Sequence, residues 1–153
     1  MVSVVCHNGL NRSVREYGLT DPGKILDQTR SIVLEEFEKS SEKVNDGMDI
    51  AICCLEGNQL TYAGANNPLW IVKNGTNKLI EIKGDKQPVG KFEHAKSFTT
   101  HEMQVEAGDV IYLCTDGYAD QFGGLSLPAG RQGGKKFKKR TLNAYYFQRP
   151  IVQ

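Results

Sequence analysis

At Asp46 the apolar spacing of this chain changes from a helical period to an extended one, and that change sets its fold class. Before it, Met1, Val2, Val4, Val5, Cys6, Leu10, Val14 and Tyr17 recur at roughly helical spacing, and Gly18 stands where a C′ glycine ends a helix. The first six positions are apolar nearly all round, so this helix is expected to start inside a larger body. Asp21 then reads as an N-cap with Pro22 at the first helical position. The apolar stripe that follows is Ile25, Leu26, Ile32, Val33 and Phe37, with Lys24, Arg30, Glu35, Glu36 and Glu38 expected to face water. After Asp46, residues 48–55, 59–65, 68–73 and 78–83 are strand-like, with Gly57-Asn58 and Asn74-Gly75 as hairpin turns. Residues 97–106 alternate less cleanly, and a last apolar run follows at 110–114. Two helices and then closely spaced strands with tight turns predict an α+β domain with a largely antiparallel sheet system.

Composition excludes more than it selects. A chain of 153 residues is one domain or part of one, with room for a real core. Its 19 basic residues nearly cancel its 18 acidic ones, so overall charge nominates neither nucleic acid nor a membrane surface. No apolar run approaches the length of a membrane span, and the opening residues do not read as a secretory leader. The cysteines Cys6, Cys53, Cys54 and Cys114 have no CxxC spacing and sit in apolar segments. They read as buried free thiols in a reducing cytoplasm, not as a zinc site or a disulfide framework. His7 reads as a satisfied core or boundary histidine, and Trp70, between Leu69 and Ile71, as a sheet-packing residue.

The residues with chemistry to offer lie in the β region. Within residues 109–117, the run 110–114 reads as a short apolar strand, expected to be buried on both faces, that delivers Asp116 to its C-terminal end. Gly117 beside it leaves room for a ligand to approach the backbone. A carboxylate on a rigid strand suits a hard cation such as Mg2+ or Mn2+. Asp46-Gly47-Met48-Asp49 puts two more carboxylates at the mouth of a strand. In Ala63-Gly64-Ala65-Asn66-Asn67-Pro68, Gly64 and Asn66 shape a turn that brings backbone close to something. Gln87-Pro88-Val89-Gly90 is a further constrained loop. Each of these alone is compatible with an ordinary turn.

Taken in order, DGMDIA, AGANNPLW, QPVG and GDVIYLCTDGYADQ resemble the stage II sporulation protein E-type serine phosphatases of the metal-dependent protein phosphatase 2C superfamily. The resemblance covers about residues 1–124, and the last motif, with its spacing from AGANNP, is its most specific part. It implies an antiparallel β-sandwich of two sheets flanked by helices, with two Mn2+ or Mg2+ ions between the sheets. It carries Asp116 over as a metal ligand, with Gly117 shaping its turn. Asp49 and Asp46 are the other candidate ligands, Gly64 and Asn66 are site-shaping, and no catalytic group beyond the metal ligands is implied. Two metals about 3.5–4 Å apart lower the pKa of a bridging water and neutralise phosphoryl oxygens, a route that needs carboxylates and no cysteine nucleophile. The implied substrate is a phosphoserine or phosphothreonine on a small regulatory protein of bacterial signalling, such as an anti-sigma-factor antagonist. No nucleic-acid or membrane contact by this chain is implied, and a sensor domain in a longer parent is compatible with the resemblance.

The family's first metal motif, an Asp followed shortly by Gly-His-Gly, has no counterpart here, and no acidic residue follows Asp120. The fold is therefore expected to be incomplete, cut short at both ends, with a partial phosphatase domain over 1–122. Residues 123–153 form a separate segment, glycine-rich at its start and with five basic residues among 135–140. That segment is expected to be divergent or poorly ordered, because it offers little apolar surface to offset its ordering entropy. The alternative function is a catalytically inactive remnant acting as a protein-interaction module. An unrelated α+β module with a basic tail is a third reading.

Overall fold

The structure is a computed structural model, described for residues 2–39, 46–76, 78–113 and 115. The chain divides into two units, Met1–Cys114 and Thr115–Gln153. Everything below concerns the first, and the segment 123–153 lies outside the described residues.

Two helices open the chain, α1 over Val2–Arg15 and α2 over Pro22–Lys39. Asp21 caps α2 as its position predicts, its Oδ1 accepting from the Lys24 N–H at 2.9 Å. The same oxygen accepts from Thr100 Oγ1 at 2.8 Å, and that hydroxyl in turn accepts from the Gly23 N–H at 3.0 Å. The cap therefore also ties the helix start to the strand region. The stripe Ile25, Leu26, Ile32, Val33 and Phe37 is buried. Where the helices meet, Ser13 and Thr29 share a 3.2 Å hydroxyl contact. Each also donates to a carbonyl one turn back, so no buried hydroxyl is left unpaired there.

The strands are β1 (Gly47–Met48), β2 (Ile50–Glu56), β3 (Gln59–Ala65), β4 (Leu69–Val72), β5 (Leu79–Ile82), β6 (Val89–Gly90), β7 (His101–Gln104) and β8 (Val110–Leu113). They make one sheet in the order β2-β3-β7, a second in the order β5-β4-β8, and the short pair β1-β6, with every pairing antiparallel. Glu56 pairs with Gln59, so Gly57-Asn58 is the two-residue hairpin loop that the sequence predicts.

Strand β3 is the centre of the fold because both its faces are buried. Successive side chains of a strand point to opposite faces. Leu60 and Tyr62 therefore enter the core between the sheets, with Leu69, Ile71 and Val105. Ala63 and Ala65 face the other way, onto Leu26, Val33 and Phe37 of α2 and Cys6 of α1. Small residues on that face let α2 lie close to the sheet. This is the antiparallel sandwich flanked by helices that the resemblance implies.

Several expectations need correction. Within this chain Val4 on α1 is 61% exposed, and the helix turns Cys6 and Ser13 inward. Arg30 does not face water, since its guanidinium lies 4.9 Å over the Phe98 ring and 2.9 Å from Asp27, where a flat apolar partner and a carboxylate are both in reach. Strand β8 is half-buried, not enclosed on both faces. It pairs with β4 on one side, and Leu113 is 43% exposed. The segment QPVG is more than a loop, because Val89 and Gly90 pair with Met48 and Gly47. Of the cysteines described, Cys6 is buried while Cys53 and Cys54 are only half-buried, and all three are free. His7 is exposed on α1, its Nε2 3.0 Å from the Asn11 amide. Trp70 is buried in sheet packing, as predicted.

Candidate metal-binding corner

Three of the four motif segments meet at the corner where the chain leaves the first sheet for the second. Strand β3 ends at Ala65 and β4 starts at Leu69, so Asn66-Asn67-Pro68 makes the crossing. Asn66 has φ 60°, a left-handed conformation that asparagine adopts more readily than most residues. The segment after β5 holds it there. The Asn66 N–H donates to the Asp85 carbonyl at 2.8 Å, and the Asp85 N–H donates to the Gly64 carbonyl at 2.8 Å. Ala65 and Asp85 thus form a short parallel bridge.

From the interior, the hydroxyl of fully buried Tyr62 donates to the Asn67 carbonyl at 2.5 Å. Burial pushes that hydroxyl's pKa up to about 12, and the nearby charge of Asp85 adds to the effect. Gly64 has to be glycine here, because a Cβ would overlap both the Tyr62 hydroxyl and the Asn67 carbonyl.

Asp49 lies between β1 and β2 with its side chain exposed. Its Oδ1 accepts from the Asn66 Nδ2 at 2.7 Å. Asp46, also exposed, immediately precedes β1. Gly90 packs so tightly against this segment that a Cβ on it would stand 2.7 Å from the Asp46 carbonyl oxygen. The structure thus brings Asp46, Asp49, Gly64 and Asn66 to one corner, with QPVG against them. Asp116 and Gly117 lie outside the described residues. Leu113, the last residue of β8, pairs with Leu69, so β8 runs out toward the end of its sheet where Asn66 and Asn67 emerge.

Exposed carboxylate oxygens at a strand mouth suit Mg2+ or Mn2+ in kind. In number they do not suffice: among the described residues no group of three His, Cys, Asp or Glu side chains could hold a metal ion. The described residues alone are therefore not a metal centre.

Of two further contributors to this corner, Asp85 was not singled out from the sequence, and Gln87 was named only as part of the QPVG loop. Asp85 accepts through its carboxylate from the Thr99 N–H at 2.7 Å and from Thr99 Oγ1 at 3.1 Å, while its backbone braces Asn66. Gln87, 4% exposed, donates to the Lys96 carbonyl and accepts from the Lys96 N–H, both at 2.8 Å. The signal for Asp85 was only Gly84-Asp85 as a turn pair, and for Gln87 its place at the head of QPVG. A polar cavity of about 190 Å3 lies elsewhere, between the α1–α2 turn and the β2–β3 hairpin, and no motif residue lines it.

The fold is that of protein phosphatase 2C domains. The structure superposes on the SiaA-PP2C domain of Pseudomonas aeruginosa with a TM-score of 0.72 at 23% identity, over 93% of this chain and 52% of that one. It also superposes on the Mycobacterium tuberculosis serine/threonine phosphatase PstP/Ppp with a TM-score of 0.52 at 16% identity, over 78% of this chain and 64% of that one. The chain belongs to the stage II sporulation protein E (SpoIIE) family, whose model matches residues 3–146. It spans about half the length of the SiaA-PP2C chain and is incomplete relative to both solved structures. None of the curated proteins matches it. Among the described residues, no helix is long and apolar enough to cross a membrane.

Proposed function

We propose that this chain is a metal-dependent serine/threonine protein phosphatase domain of bacterial cytoplasmic signalling, present as a partial domain over 1–122 with a divergent segment over 123–153. Its substrate is a phosphoserine or phosphothreonine on a small regulatory protein of the anti-sigma-factor-antagonist kind. The observation that carries this reading is the convergence of DGMD, AGANNP and QPVG at one corner, with Asp49 held by Asn66 at 2.7 Å. Asp116 would hold Mn2+ or Mg2+ together with Asp49 and Asp46. Bound there, the metal would supply an activated water and neutralise phosphoryl charge. The chain's own part is to fix carboxylate positions. Asn66 orients Asp49, and the Asp85 backbone holds Asn66 in its turn.

The test is p-nitrophenyl phosphate turnover with Mn2+ by three proteins: this chain, a longer chain extended at both ends, and the longer chain with Asp116→Ala. The longer chain should turn over, this chain should be slower by orders of magnitude, and Asp116→Ala should abolish activity. Equal turnover by the short and long chains would show that further ligands are not needed. Unchanged activity in Asp116→Ala would remove the ligand assignment.

A second reading is an inactive remnant that binds a partner through the same fold, favoured by the lack of any acidic residue after Asp120. Metal titration separates the two, because a remnant binds no Mn2+ at micromolar concentration.

A further inference from the structure

We infer that the loop between Gly90 and Lys96 is a recognition loop for an acidic, phosphorylated protein segment. This deepens the phosphatase reading and rests on it. The loop has a fixed base and a free tip. At its base, Gln87 closes residues 87–96 into a ring, bonding both the N–H and the carbonyl of Lys96 as a neighbouring strand would. Past that ring, Asp27 Oδ1 accepts from the Phe98 N–H at 3.2 Å, and Phe98 is buried under Arg30. Asp85 fixes Thr99. On the other side, Val89 and Gly90 are paired with Met48 and Gly47.

Between these anchors every residue from Lys91 to Ser97 is exposed, with only a turn at Glu93-His94. The tip presents Lys91, His94 and Lys96 against a single acid, Glu93, and holds Phe92 41% exposed. Lys86, at the base, is exposed as well. Gly90 lies against Gly47 and the Asp46 carbonyl, so the tip leaves the fold beside Asp46, with Asp49 three residues further along the same segment. A basic and aromatic tip anchored at both ends loses less conformational entropy on binding than an untethered segment would. Phosphorylation adds about −1.5 to −2 charges to a segment, which lysines complement. A carboxylate-lined corner alone would repel such a segment. The loop supplies the opposite sign next to it.

The test uses fluorescence anisotropy with the full chain and three labelled peptides. One carries a phosphoserine flanked by Asp and Glu, one is the same peptide unphosphorylated, and one keeps the phosphoserine with neutral flanks. The phosphorylated acidic peptide should bind tightest, and its affinity should fall with added salt. Lys91→Glu with Lys96→Glu should weaken it about tenfold or more at low salt and flatten the salt dependence. Phe92→Ala should weaken it several-fold. Gln87→Ala, which leaves every charge in place, should weaken it by loosening the base. Arg15→Glu with Lys78→Glu, an equal charge change at exposed positions elsewhere, should change it less than about twofold.

Absence of binding, equal binding of the unphosphorylated peptide, or equal losses in the two double variants would overturn the inference. Binding is read without turnover, and p-nitrophenyl phosphate is too small to need the loop. Failure of the phosphatase reading would instead appear as a longer chain that cannot hydrolyse that small ester.

Discussion

Asp49 and Asn66 stand 17 positions apart in sequence, yet the amide of one donates to the carboxylate of the other at 2.7 Å. That bond joins the mouth of β2 to the corner between the sheets, and it depends on a left-handed Asn66. Replacing Asn66 by alanine removes the bond and leaves a Cβ residue in an unfavourable conformation. The expected loss is about 1–2 kcal/mol by urea unfolding. Asn66→Gly keeps the backbone geometry and loses only the bond, so its cost should be smaller. Equal losses in the two variants would mean that the left-handed turn is not what asparagine provides.

Tyr62→Phe keeps the ring and removes the hydroxyl, leaving the Asn67 carbonyl without its 2.5 Å donor. The expected destabilisation is about 1–3 kcal/mol. The hydroxyl's folded pKa of about 12 lies above its ordinary 10.0. Its contribution is therefore complete below pH 10 and is lost as pH rises through 12. The stability gap between wild type and Tyr62→Phe should shrink across that window. A gap constant from pH 9 to pH 12 would contradict this.

Asp109 works at the far end of the second sheet, where Lys73 Nζ lies 2.6 Å from its carboxylate. The Asn74 and Glu106 N–H groups also donate to it, each at 2.9 Å. Lys73 above all, with those two donors, holds its pKa down to about 2, from an ordinary 3.8. A depressed carboxylate stabilises above its unfolded pKa and loses that contribution as pH falls through the folded one. The window is thus from about pH 4 to pH 2. Asp109→Asn should cost about 1.5–3 kcal/mol at pH 7. The difference from wild type should close in acid, as followed by chemical unfolding at stepped pH.

Gly64→Ala tests how tightly the corner is built. The added methyl would overlap the Tyr62 hydroxyl and the Asn67 carbonyl, and the latter is backbone that cannot swing aside. A loss near the upper end of overpacking penalties, about 3 kcal/mol, is expected. A melting temperature within a degree or two of wild type would show that the corner can open.

The helices and long strands were legible because each carries its own periodic signal. Asp21-Pro22 marked the start of α2, and residues 59–65 read as a strand between turn signals, though not as one buried on both faces. The candidate corner was legible only as separate pieces. Asp46, Asp49, Gly64 and Asn66 could be named, but the bond between Asp49 and Asn66 is a long-range fact with no local pattern. Asp85, and the role of Gln87 within its loop, were not legible because each acts on backbone groups further along the chain, and neither residue type announces such a role. Arg30 was misassigned because helical spacing fixes which face a residue is on, not whether an aromatic ring such as Phe98 lies over that face.

The double burial of β3 also bears on how the molecule comes apart. Leu60 and Tyr62 belong to one core, Ala63 and Ala65 to the other, and all four sit on a strand of seven residues. Neither core can be exposed without displacing the strand that the other is built on. The helical layer and the second sheet are thereby mechanically coupled, and partial openings that release only one of them are disfavoured. Amide hydrogens of β3 should consequently exchange only through global unfolding, at a common rate along the strand, while those of the two-residue strands β1 and β6 exchange through local opening.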